Sequence, residues 1–419
     1  MRDAGTFLRA LFDRAVEVAD PMRALPARLP PRPSGRVIVV GAGKASARMA
    51  EAVEAAWGPC EGLVITRYGY ARPCAGIEIA EAAHPVPDAA GVAATQRLLA
   101  LLDTAGEGDT VVALISGGGS ALLIAPANGI ALSEKQSLTE ALLASGAPIG
   151  EINGIRKEIS AVKGGRLAAR AYPARTIGLL ISDVPGDAPG DIASGPTVGH
   201  ACDAARAAQA LAQWQVTPAP SIARFLAAGG DPLSPGAPRL SRTENHVVAA
   251  PSQSLTAARA LAEASGCEVE ILGDAIEGEA RDVARSHAAL ARARAADLRR
   301  PHLFLSGGEL TVTRRGGGIG GPNAEYALAL ALALEGAPGI HAIACDTDGV
   351  DGAAEVAGAV IAPETLARAA AAGVDAAASL AENDAHSFFA ALGDQVVPGP
   401  TLTNVNDFRA ILIDPSPAG

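Results

Sequence analysis

The stretch DTVVALISGGGSALL, residues 109–123, decides the fold of this chain. An apolar run ends in serine, glycines follow, and an Ala/Leu-rich segment begins, which predicts a buried strand, a tight loop and a helix start. Glycines let the backbone approach a ligand, and the first amides of a helix have no partner inside it. Although such a stretch can also be a plain sharp turn, it predicts a phosphate site made of Ser116, Gly117, Gly118, Gly119 and Ser120.

The composition predicts a soluble globular protein of two domains, since 419 residues with 49% hydrophobic and 19% charged residues exceed one ordinary core. The formal net charge of −11 argues against nucleic acid and anionic membranes as partners, because an acidic surface repels polyanions. An anionic small substrate therefore needs a local basic patch. The composition is compatible with a homodimer but does not establish an oligomeric state.

The five cysteines are scattered and form no CxxC pair, so they indicate neither a disulfide framework nor a structural zinc site. They suit the reducing cytoplasm. No charge-free stretch approaches the length of a membrane span, and the N-terminal residues 1–20 carry charges and helical apolar spacing in place of a signal sequence. We therefore expect a cytoplasmic protein with no membrane partner.

Lysine is rare in this chain, standing only at positions 44, 135, 157 and 163 among 34 Lys and Arg residues. A lysine is a compact point charge that fits beside backbone amides and phosphate. Lys44 and Lys163 lie next to glycine, which favours a phosphate contact for both. Lys135 is predicted to lie on a solvated helix face. Arg156 lies on a basic helix that is either solvated or bound to the same polyanion as Lys163.

The stretch RVIVVGAGKASARMA, residues 36–50, predicts a strand, a glycine turn and a helix. It departs from the Rossmann dinucleotide fingerprint, because Ser46 stands at the third glycine and the next strand ends in Arg67 where an acid is expected. It also lacks the spacing of a Walker A loop. The turn with Gly41 and Gly43 is predicted to present Lys44 to a phosphate or carboxylate.

Two further loops carry candidate side chains in the first half of the chain. His84 lies in a proline-rich loop, where it either contacts substrate or caps local backbone. The stretch ISDVPGDAPGDIASGPT, residues 181–197, follows a buried run. Carboxylates at the C-terminal end of a parallel strand are where open α/β sheets place their chemistry, although aspartates also favour turns. Asp183 and Asp187 are therefore predicted as catalytic residues that hold Mg²⁺ together with phosphate oxygens.

A Gly/Pro/Ser-rich stretch from Pro232 to Pro238 predicts a domain boundary, after which strands and helices alternate again. The stretch HLFLSGGELTVT, residues 302–313, echoes the first glycine loop, and YALALALALEG after it favours helix by its Ala/Leu content. Further apolar strands adjoin polar loops that are either turns or substrate contacts. The candidate substrate contacts in this half are Glu309, Asn323, Asp346, Asp348, Asn404 and Asp407.

Seven stretches in order, VVGAGKAS, LISGGGSALL, IRKEISAVKGGRLA, ISDVPGDAPGDIASGPT, LSGGELTV, CDTDGVDG and GPTLTNVNDF, closely resemble the class II glycerate kinases, the MOFRL-containing glycerate 2-kinases. Some members of that family are labelled hydroxypyruvate reductase. The resemblance implies a two-domain α/β fold, with a Rossmann-like parallel-sheet domain at 1–240 and a smaller α/β domain at 241–419 that contains the MOFRL region at about 301–413. It also implies an active site between the domains, with Lys44 as catalytic lysine.

The activity implied by the resemblance is ATP-dependent, Mg²⁺-assisted phosphorylation of D-glycerate to 2-phosphoglycerate. We expect the amides of the glycine loop to bind ATP phosphates and Lys44 to neutralise charge on the γ-phosphoryl group. An aspartate of the Asp183/Asp187 loop or of the Asp346/Asp348 loop would orient the 2-hydroxyl and accept its proton. Two alternatives are an NAD(P)H-dependent hydroxypyruvate reductase and a non-catalytic phosphosugar-binding module.

The chain departs from the family pattern in its C-terminal half. The family loop commonly reads GGRNQE, whereas this chain reads GGPNAE, so that Pro322 replaces an arginine and Ala324 a glutamine. Leu402 also stands where the family usually has glycine. If the family arginine binds substrate, this chain must use Arg314, Arg315 or another residue, or take a different acid.

Overall fold

The protein is described here by a computed structural model that covers residues 3–231, 233–296 and 298–415. The chain divides into two compact units. We call Ala24–Ser182 with Asp187–Val248 the N-terminal unit, and Met1–Arg23 with Asp183–Gly186 and Ala249–Gly419 the C-terminal unit. The helices are α1 (Ala4–Ala19), α2 (Pro21–Ala24), α3 (Ser46–Trp57), α4 (Ala89–Leu102), α5 (Gly119–Leu122), α6 (Leu132–Ala144), α7 (Ile149–Glu158), α8 (Arg166–Ala171), α9 (Ala204–Gln213), α10 (Pro220–Ala227), α11 (Pro251–Ala264), α12 (Ala280–Ala295), α13 (Pro322–Leu334), α14 (Thr365–Ala371), α15 (Ala376–Ala381) and α16 (Ala385–Leu392).

The N-terminal unit contains a six-stranded sheet in the order β3-β2-β1-β4-β5-β6. Its strands are β1 (Val37–Ala42), β2 (Glu61–Arg67), β3 (Ile77–Ala82), β4 (Thr110–Ile115), β5 (Arg175–Ile181) and β6 (Thr243–Ala249). Strand β1 pairs in parallel with both β2 and β4, and every residue of β1 and β4 is buried. This is the strand order of a doubly wound Rossmann-like sheet, the class that the family resemblance implies.

The C-terminal unit has a mixed six-stranded sheet in the order β13-β12-β11-β14-β9-β7 and a two-stranded ladder of β10 with β8. Its strands are β7 (Glu268–Gly273), β8 (Gly278–Glu279), β9 (His302–Gly308), β10 (Leu310–Thr311), β11 (Ile340–Asp346), β12 (Gly358–Ile361), β13 (Gln395–Val396) and β14 (Asp407–Ile413). The central strand β14 pairs antiparallel with β11 and β9. Helix α13, which is Ala/Leu-rich and buried along almost its whole length, packs in the core of this unit.

The observed units differ from the predicted division at residues 240 and 241, because α1 belongs to the C-terminal unit. Leu8, Leu11 and Phe12 form the buried face of α1 and join the same apolar cluster as Leu255 of α11 and Phe408 of β14. An apolar helix face must pack somewhere, but its spacing alone does not indicate against which strand. Pro232, at the start of the predicted boundary stretch, lies outside the described residues.

Two further features concern the described residues. All five cysteines are free thiols. No helix within residues 3–231, 233–296 and 298–415 is long and apolar enough to cross a membrane.

Candidate functional site

The turns after β1 and β4 lie side by side at the point where the strand order of the N-terminal sheet reverses. Open α/β sheets bind their ligands at this position, beyond the carboxyl ends of the strands. A Cβ on Gly41 would lie 2.2 Å from the carbonyl oxygen of Leu114, and one on Gly43 would lie 2.0 Å from Oγ of Ser116. The pairing of β1 with β4 therefore requires Gly41, and the close approach of the two turns requires Gly43, whether or not a nucleotide is bound.

Hydrogen bonds join the two turns. The amide of Lys44 donates to the carbonyl oxygen of Gly117 at 2.8 Å, and the amide of Ala45 donates to Oγ of Ser116 at 3.0 Å. Oγ of Ser46, at the position of the third fingerprint glycine, lies 3.1 Å from the same Ser116 oxygen. Ser116 is fully buried, so the structure assigns its hydroxyl to holding the Lys44 turn, where the sequence predicts a phosphate contact.

Gly118 brings Lys44 and His84 together. It has a φ of +78°, and a Cβ there would lie 3.0 Å from the imidazole ring of His84 and 3.1 Å from Cγ of Lys44. The amide of Gly119 donates to the carbonyl of Ser116 at 3.2 Å, which closes the turn and occupies one of the amides predicted to bind phosphate. The site thus combines a cation, an imidazole and the remaining glycine amides.

Lys163 and Ser120 occupy different positions from the phosphate contacts that the sequence predicts. Lys163 is fully buried, and its Nζ donates to the carbonyl oxygen of Ser120 at 2.7 Å. Burial lowers the pKa of its amine well below the ordinary value, and the cations Lys135, Arg156 and Lys157 lower it further. Oγ of Ser120 lies 2.7 Å from Oγ of Ser194. The Lys163 amine and the Ser120 hydroxyl are therefore hydrogen-bonded to other groups of the protein.

Lys135 also contradicts the prediction from sequence. It is buried in place of lying on a solvated face, and its Nζ donates to the carbonyl oxygens of Arg156 and Ile159 at 3.4 and 3.3 Å. Burial lowers its pKa to about 7. The helix pattern around Lys135 is only weakly amphipathic, so the sequence gives no clear signal for the buried side.

The other basic residues of this region contact neighbouring side chains. Nη1 of Arg156 lies 3.4 Å from Oδ1 of Asn153, and Lys157 forms an ion pair with Asp191 at 3.1 Å.

The predicted aspartates of the 181–197 loop belong to different units. Asp187 is in the N-terminal unit, has a φ of +54°, and its Oδ1 is buried without a hydrogen-bond partner. Asp183 is in the C-terminal unit. Within the described part of the chain, no three or more His, Cys, Asp or Glu side chains are grouped so that they could hold a metal ion.

Asp183 is held by the loop before β14. Nδ2 of Asn404 donates to its Oδ2 at 3.2 Å, and Nδ2 of Asn406 donates to its backbone carbonyl at 2.9 Å. Oδ1 of Asn404 in turn accepts the amide of Asn406 at 3.1 Å. From sequence, Asp183 and Asn404 are separate candidates, and Asn406 lies in the same polar loop as Asn404. No local pattern joins this loop to Asp183, because the two segments are more than two hundred residues apart.

Asp407 supports Asn323 and is itself buried, so the structure gives it a positioning role in place of the predicted substrate contact. Its Oδ1 accepts Nδ2 of Asn323 at 2.6 Å, and its Oδ2 accepts Nη1 of Arg409 at 2.8 Å. Burial raises the pKa of the Asp407 carboxyl, which the Arg409 guanidinium opposes. Oδ1 of Asn323 is buried without a hydrogen-bond partner. Asn323 therefore remains a candidate to accept a hydrogen bond from a ligand hydroxyl.

Asp351 occupies the start of α13. Its carboxylate accepts the amides of Asn323 and Ala324 at 2.9 and 2.8 Å, and Oδ2 lies 3.1 Å from Nε2 of His386. These amides are among the helix N-terminal donors that could otherwise bind an anion, so the protein's own carboxylate takes that place. Asp351 belongs to the stretch CDTDGVDG, residues 345–352, but its contact with α13 has no local sign in the sequence, and Arg409 lies in no recognisable motif.

The remaining predicted substrate contacts of the C-terminal unit are Asp346, Asp348 and Glu309. The Asp346 carboxylate accepts the amide of Asp348 at 2.9 Å, and the Asp348 carboxylate accepts the amide of Val350 at 2.7 Å. Asp348 is fully buried, and Glu309 is exposed between β9 and β10. Pro322 is the first residue of α13, a position where the missing N–H costs the helix nothing. Arg314 donates to the carbonyl of Gly318 at 3.3 Å.

Fold and site define the class of protein: a Rossmann-like α/β unit with a lysine and a glycine turn at its switch point, followed by a mixed α/β unit. Comparison with known proteins gives the family. Residues 7–227 match a domain of unknown function, DUF4147, and residues 302–407 match the MOFRL family. The chain belongs to the MOFRL-containing glycerate 2-kinase family.

Individual relatives cover almost the whole chain. It is 50% identical over 413 residues to an Agrobacterium vitis protein with a provisional hydroxypyruvate reductase name, covering 97% of this chain and 94% of that protein. It is 38% identical over 409 residues to the D-glycerate 2-kinase of Thermotoga maritima, with coverage of 96% and 97%. A crystal structure of glycerate kinase from Thermotoga maritima superposes with a TM-score of 0.88 at 37% identity, covering 98% of this chain and 99% of that chain.

Proposed function

We propose that this protein is a glycerate kinase that transfers the γ-phosphoryl group of ATP to the 2-hydroxyl of D-glycerate. The observation that carries the proposal is the placement of Lys44 and His84 against Gly118 at the switch point of the N-terminal sheet. Phosphoryl transfer mainly requires groups that position the phosphates and neutralise their charge, and this site consists of such groups. The glycerate kinase relatives support the choice of substrate.

In this proposal the ATP phosphates lie on the glycine turn. The amides of Gly117 and Gly118 bind phosphate oxygens, and Lys44 stands against the charge that develops on the γ-phosphoryl group. The bond between the Lys44 amide and the Gly117 carbonyl sets the distance between the lysine and the turn. His84, beside Gly118, contacts the same phosphates or the acid substrate. Gly41 and Gly43 contribute to nucleotide binding indirectly. Because they lack a Cβ, the chain around Lys44 can lie close to the chain around Ser116.

Mg²⁺ fits this chain through Asp187, whose buried Oδ1 lacks a hydrogen-bond partner. A carboxylate oxygen of this kind is the hard ligand that Mg²⁺ prefers, with phosphate oxygens and water as the remaining ligands. When bound, the ion supplies neutralisation of phosphate charge during transfer. Asp187 alone provides this contact in the proposal, since Asp183 is already hydrogen-bonded to Asn404.

For the acceptor hydroxyl we propose Asp183 as general base. Asn404 and Asn406 fix its side chain and backbone, whereas Asp348 is fully buried and its carboxylate accepts the Val350 amide. In the step, the 2-hydroxyl oxygen forms a bond to the γ-phosphorus as the bond from that phosphorus to the β–γ bridging oxygen breaks. The hydroxyl proton passes to the Asp183 carboxylate, and ADP leaves.

The first test is turnover of ATP with D-glycerate, with phosphorus NMR to distinguish a 2-phosphate from a 3-phosphate product. Lys44→Ala should lower kcat about a hundredfold, since removing one preorganised contact costs roughly 3 kcal/mol. Arg97→Ala removes an exposed cation of α4 and should leave kcat unchanged. Near wild-type turnover by a folded Lys44→Ala enzyme would contradict the assignment of Lys44, and product at the 3-position would contradict the acceptor.

Hydroxypyruvate reduction is the second candidate, because the 50% identical relative carries that name. The site supports it less well. Ser46 fills the place of the third fingerprint glycine and bonds Ser116, and the guanidinium of Arg67 lies 4.6 Å from the ring centre of Tyr70. NADH consumption with hydroxypyruvate in the absence of ATP would favour the reductase. Ligand binding that is indifferent to Mg²⁺, without turnover of either kind, would favour a phosphosugar-binding module.

We also propose a cytoplasmic location, which the free thiols of all five cysteines support because reducing compartments keep thiols unpaired. Glycerate and ATP are the partners in this proposal. The homodimer stays a prediction, which analytical ultracentrifugation of the purified chain would test.

A further inference from the structure

The segment Lys163–Gly165 contacts two loops of the N-terminal unit at once. With its side chain it reaches the glycine-turn helix α5, since Nζ of Lys163 donates to the carbonyl of Ser120 at 2.7 Å and lies 3.5 Å from the carbonyl of Leu123. With its backbone it reaches the turn around Ser194, since the amide of Gly164 donates to the Ser194 carbonyl at 3.1 Å. The amide of Gly165 donates to the Gly195 carbonyl at 2.8 Å.

The two loops also contact each other directly. Oγ of Ser120 lies 2.7 Å from Oγ of Ser194, and a Cβ on Gly119 would lie 2.7 Å from Cβ of Ala193. Ala193 and Ser194 have φ values of +51° and +63°, which non-glycine residues adopt at a cost and keep only when their surroundings impose it. The Lys163–Gly165 segment, the glycine turn and the Ser194 turn therefore form one hydrogen-bonded arrangement.

Helix α5 needs an outside partner. It has four residues, and a helix leaves its last carbonyls without partners of its own. Nζ of Lys163 supplies donors to two of these carbonyls from a fully buried position, where water cannot replace them. Loss of the amine would leave the Ser120 carbonyl without this donor, at the C-terminal end of the turn that carries Gly118.

We infer that Lys163 is a positioning residue for phosphoryl transfer, which sets the conformation of the glycine turn through α5, while the adjacent Gly164 amide and the Ser120 hydroxyl hold the Ser194 turn beside it. The kinetic part of this inference rests on the proposed kinase function. The structural part does not, because the contacts of Lys163 are independent of the reaction. Lys163 touches neither ATP nor glycerate in this scheme; it acts through the amides of Gly117 and Gly118.

The matched control for Lys163 is Lys135. Both lysines are buried in the N-terminal unit and both donate to backbone carbonyls, but Lys135 donates to Arg156 and Ile159, outside the glycine turn. Replacement by methionine keeps most of the unbranched side chain and removes the amine in each case. Any general effect of losing a buried amine should therefore appear in both variants.

The kinetic experiment measures kcat and KM for ATP and D-glycerate in Lys163→Met and Lys135→Met. We expect kcat to fall about a hundredfold in Lys163→Met, because a displacement of roughly 1 Å in a positioned group has that effect. KM for glycerate should change little, and Lys135→Met should keep wild-type kcat. Partial recovery of kcat in Lys163→Ala on adding ethylamine or propylamine would identify the missing amine as the cause. An equal loss in both methionine variants would overturn the inference.

The second experiment does not depend on activity. Hydrogen–deuterium exchange with mass spectrometry of the whole chain reports the amides of residues 116–123, several of which are bonded only within the turn and α5. Exchange there should speed up at least tenfold in Lys163→Met and remain unchanged in Lys135→Met. Ser194→Ala, which removes one hydroxyl, should give a smaller change in the same peptide and serves if Lys163→Met does not fold.

The two experiments separate the two proposals. Wild-type protein that fails to phosphorylate glycerate contradicts the proposed function, and the exchange measurement still decides the role of Lys163. Unchanged exchange of residues 116–123 in folded Lys163→Met, or in Ser194→Ala if the former does not fold, overturns the inference even when the wild type is an active kinase.

Discussion

At the scale of single residues, Gly118 has a left-handed backbone conformation and also lies against His84 and Lys44. Its φ of +78° disfavours other residues, and a Cβ would lie 3.0 Å from the ring of His84. Gly129 has nearly the same φ, +81°, but a Cβ there would meet nothing within 4 Å. Alanine at Gly129 therefore measures the folding free energy lost to the backbone conformation alone, and alanine at Gly118 adds the displacement of site residues.

We predict that Gly129→Ala loses about 1 kcal/mol of folding free energy, because a left-handed conformation costs an alanine roughly this much. Gly118→Ala should lose more, because its methyl group also crowds His84 and Lys44. Only Gly118→Ala should also lose kcat, at least tenfold, since its methyl group displaces His84 or Lys44. Urea denaturation and steady-state kinetics on both variants test this. Equal kcat in the two variants would show that the surroundings of Gly118 are not part of the site.

Lys135 predicts a pH dependence of stability. Its pKa is about 7 in the folded protein, whereas an unfolded lysine titrates near 10.4, so the unfolded chain binds more protons between these values. Raising the pH in that range therefore stabilises the folded state, by up to about 1.4 kcal/mol per pH unit from this group.

The measurement compares the free energy of unfolding of wild type and Lys135→Met at about pH 7.5 and about pH 9.5. The wild-type value minus the variant value should increase with pH, because only the wild type contains this buried amine. The cysteines titrate in both proteins and cancel in the difference. The charge of Lys135 lowers the pKa of Lys163, so Lys163 contributes to the difference in the same direction. Arg97→Ala provides the control and should show no pH-dependent difference from wild type. A constant difference for Lys135→Met would mean that Lys135 stays charged when buried.

At the scale of elements, the start of α13 depends on Asp351. This buried carboxylate accepts two helix amides and contacts His386. The N-terminus of α15 offers a comparison, because Asp375 there accepts the amides of Ala377 and Ala378 in an exposed setting. Both carboxylates accept amides at the start of a helix. Water can replace the carboxylate at the exposed amides of α15 but not at the buried amides of α13.

Asp351→Ala should therefore lower the free energy of unfolding by about 3 kcal/mol, since buried amides and His386 lose their partner. Asp375→Ala should cost only about 1 kcal/mol, because water satisfies the exposed amides. Urea denaturation followed by circular dichroism measures both. Similar losses in the two variants would indicate that the α13 amides find another partner.

Elements also show where prediction from sequence succeeds. The strand and glycine turn at residues 109–123 and the strand and turn at residues 36–50 were both found from apolar runs and glycines, which are local signals. Helix α13 was predicted as helix although its alternating Ala and Leu resemble a strand pattern. The burial of Lys135 was missed because an isolated lysine in a helix gives no local sign of what covers it.

At the scale of the whole molecule, α1 is the first element of the chain but belongs to the C-terminal unit. Phe12 of α1 is fully buried, and its ring centre lies 6.1 Å from that of Phe408 in β14. Both tryptophans, Trp57 and Trp214, belong to the N-terminal unit. Tryptophan fluorescence therefore reports one unit, while circular dichroism reports both.

Phe12→Ala should cost about 3 to 5 kcal/mol, the usual range for removing a buried phenyl ring. The urea transition seen by circular dichroism should shift to lower concentration, with a smaller shift in tryptophan fluorescence. Leu142→Ala, in the apolar cluster against which Trp214 packs, should shift the fluorescence transition instead. Identical shifts in both probes for Phe12→Ala would mean that the two units unfold as one.

The sequence by itself determined the buried strands before the glycine turns, the turns themselves and the presence of Lys44 at the first turn, because apolar runs, glycine and motif spacing are properties of neighbouring residues. The family resemblance implied the Rossmann-like class, and the structure gave the order of the strands. Only the tertiary structure decided that Asn404 and Asn406 hold Asp183, that Arg409 and Asp407 support Asn323, and that Lys163 serves α5. Apart from the neighbours Asp407 and Arg409, these groups are joined across long sequence separations, and a hydrogen bond between distant segments depends on how their elements pack. The role of a buried polar side chain follows from its hydrogen-bond partner, and only the folded structure identifies that partner.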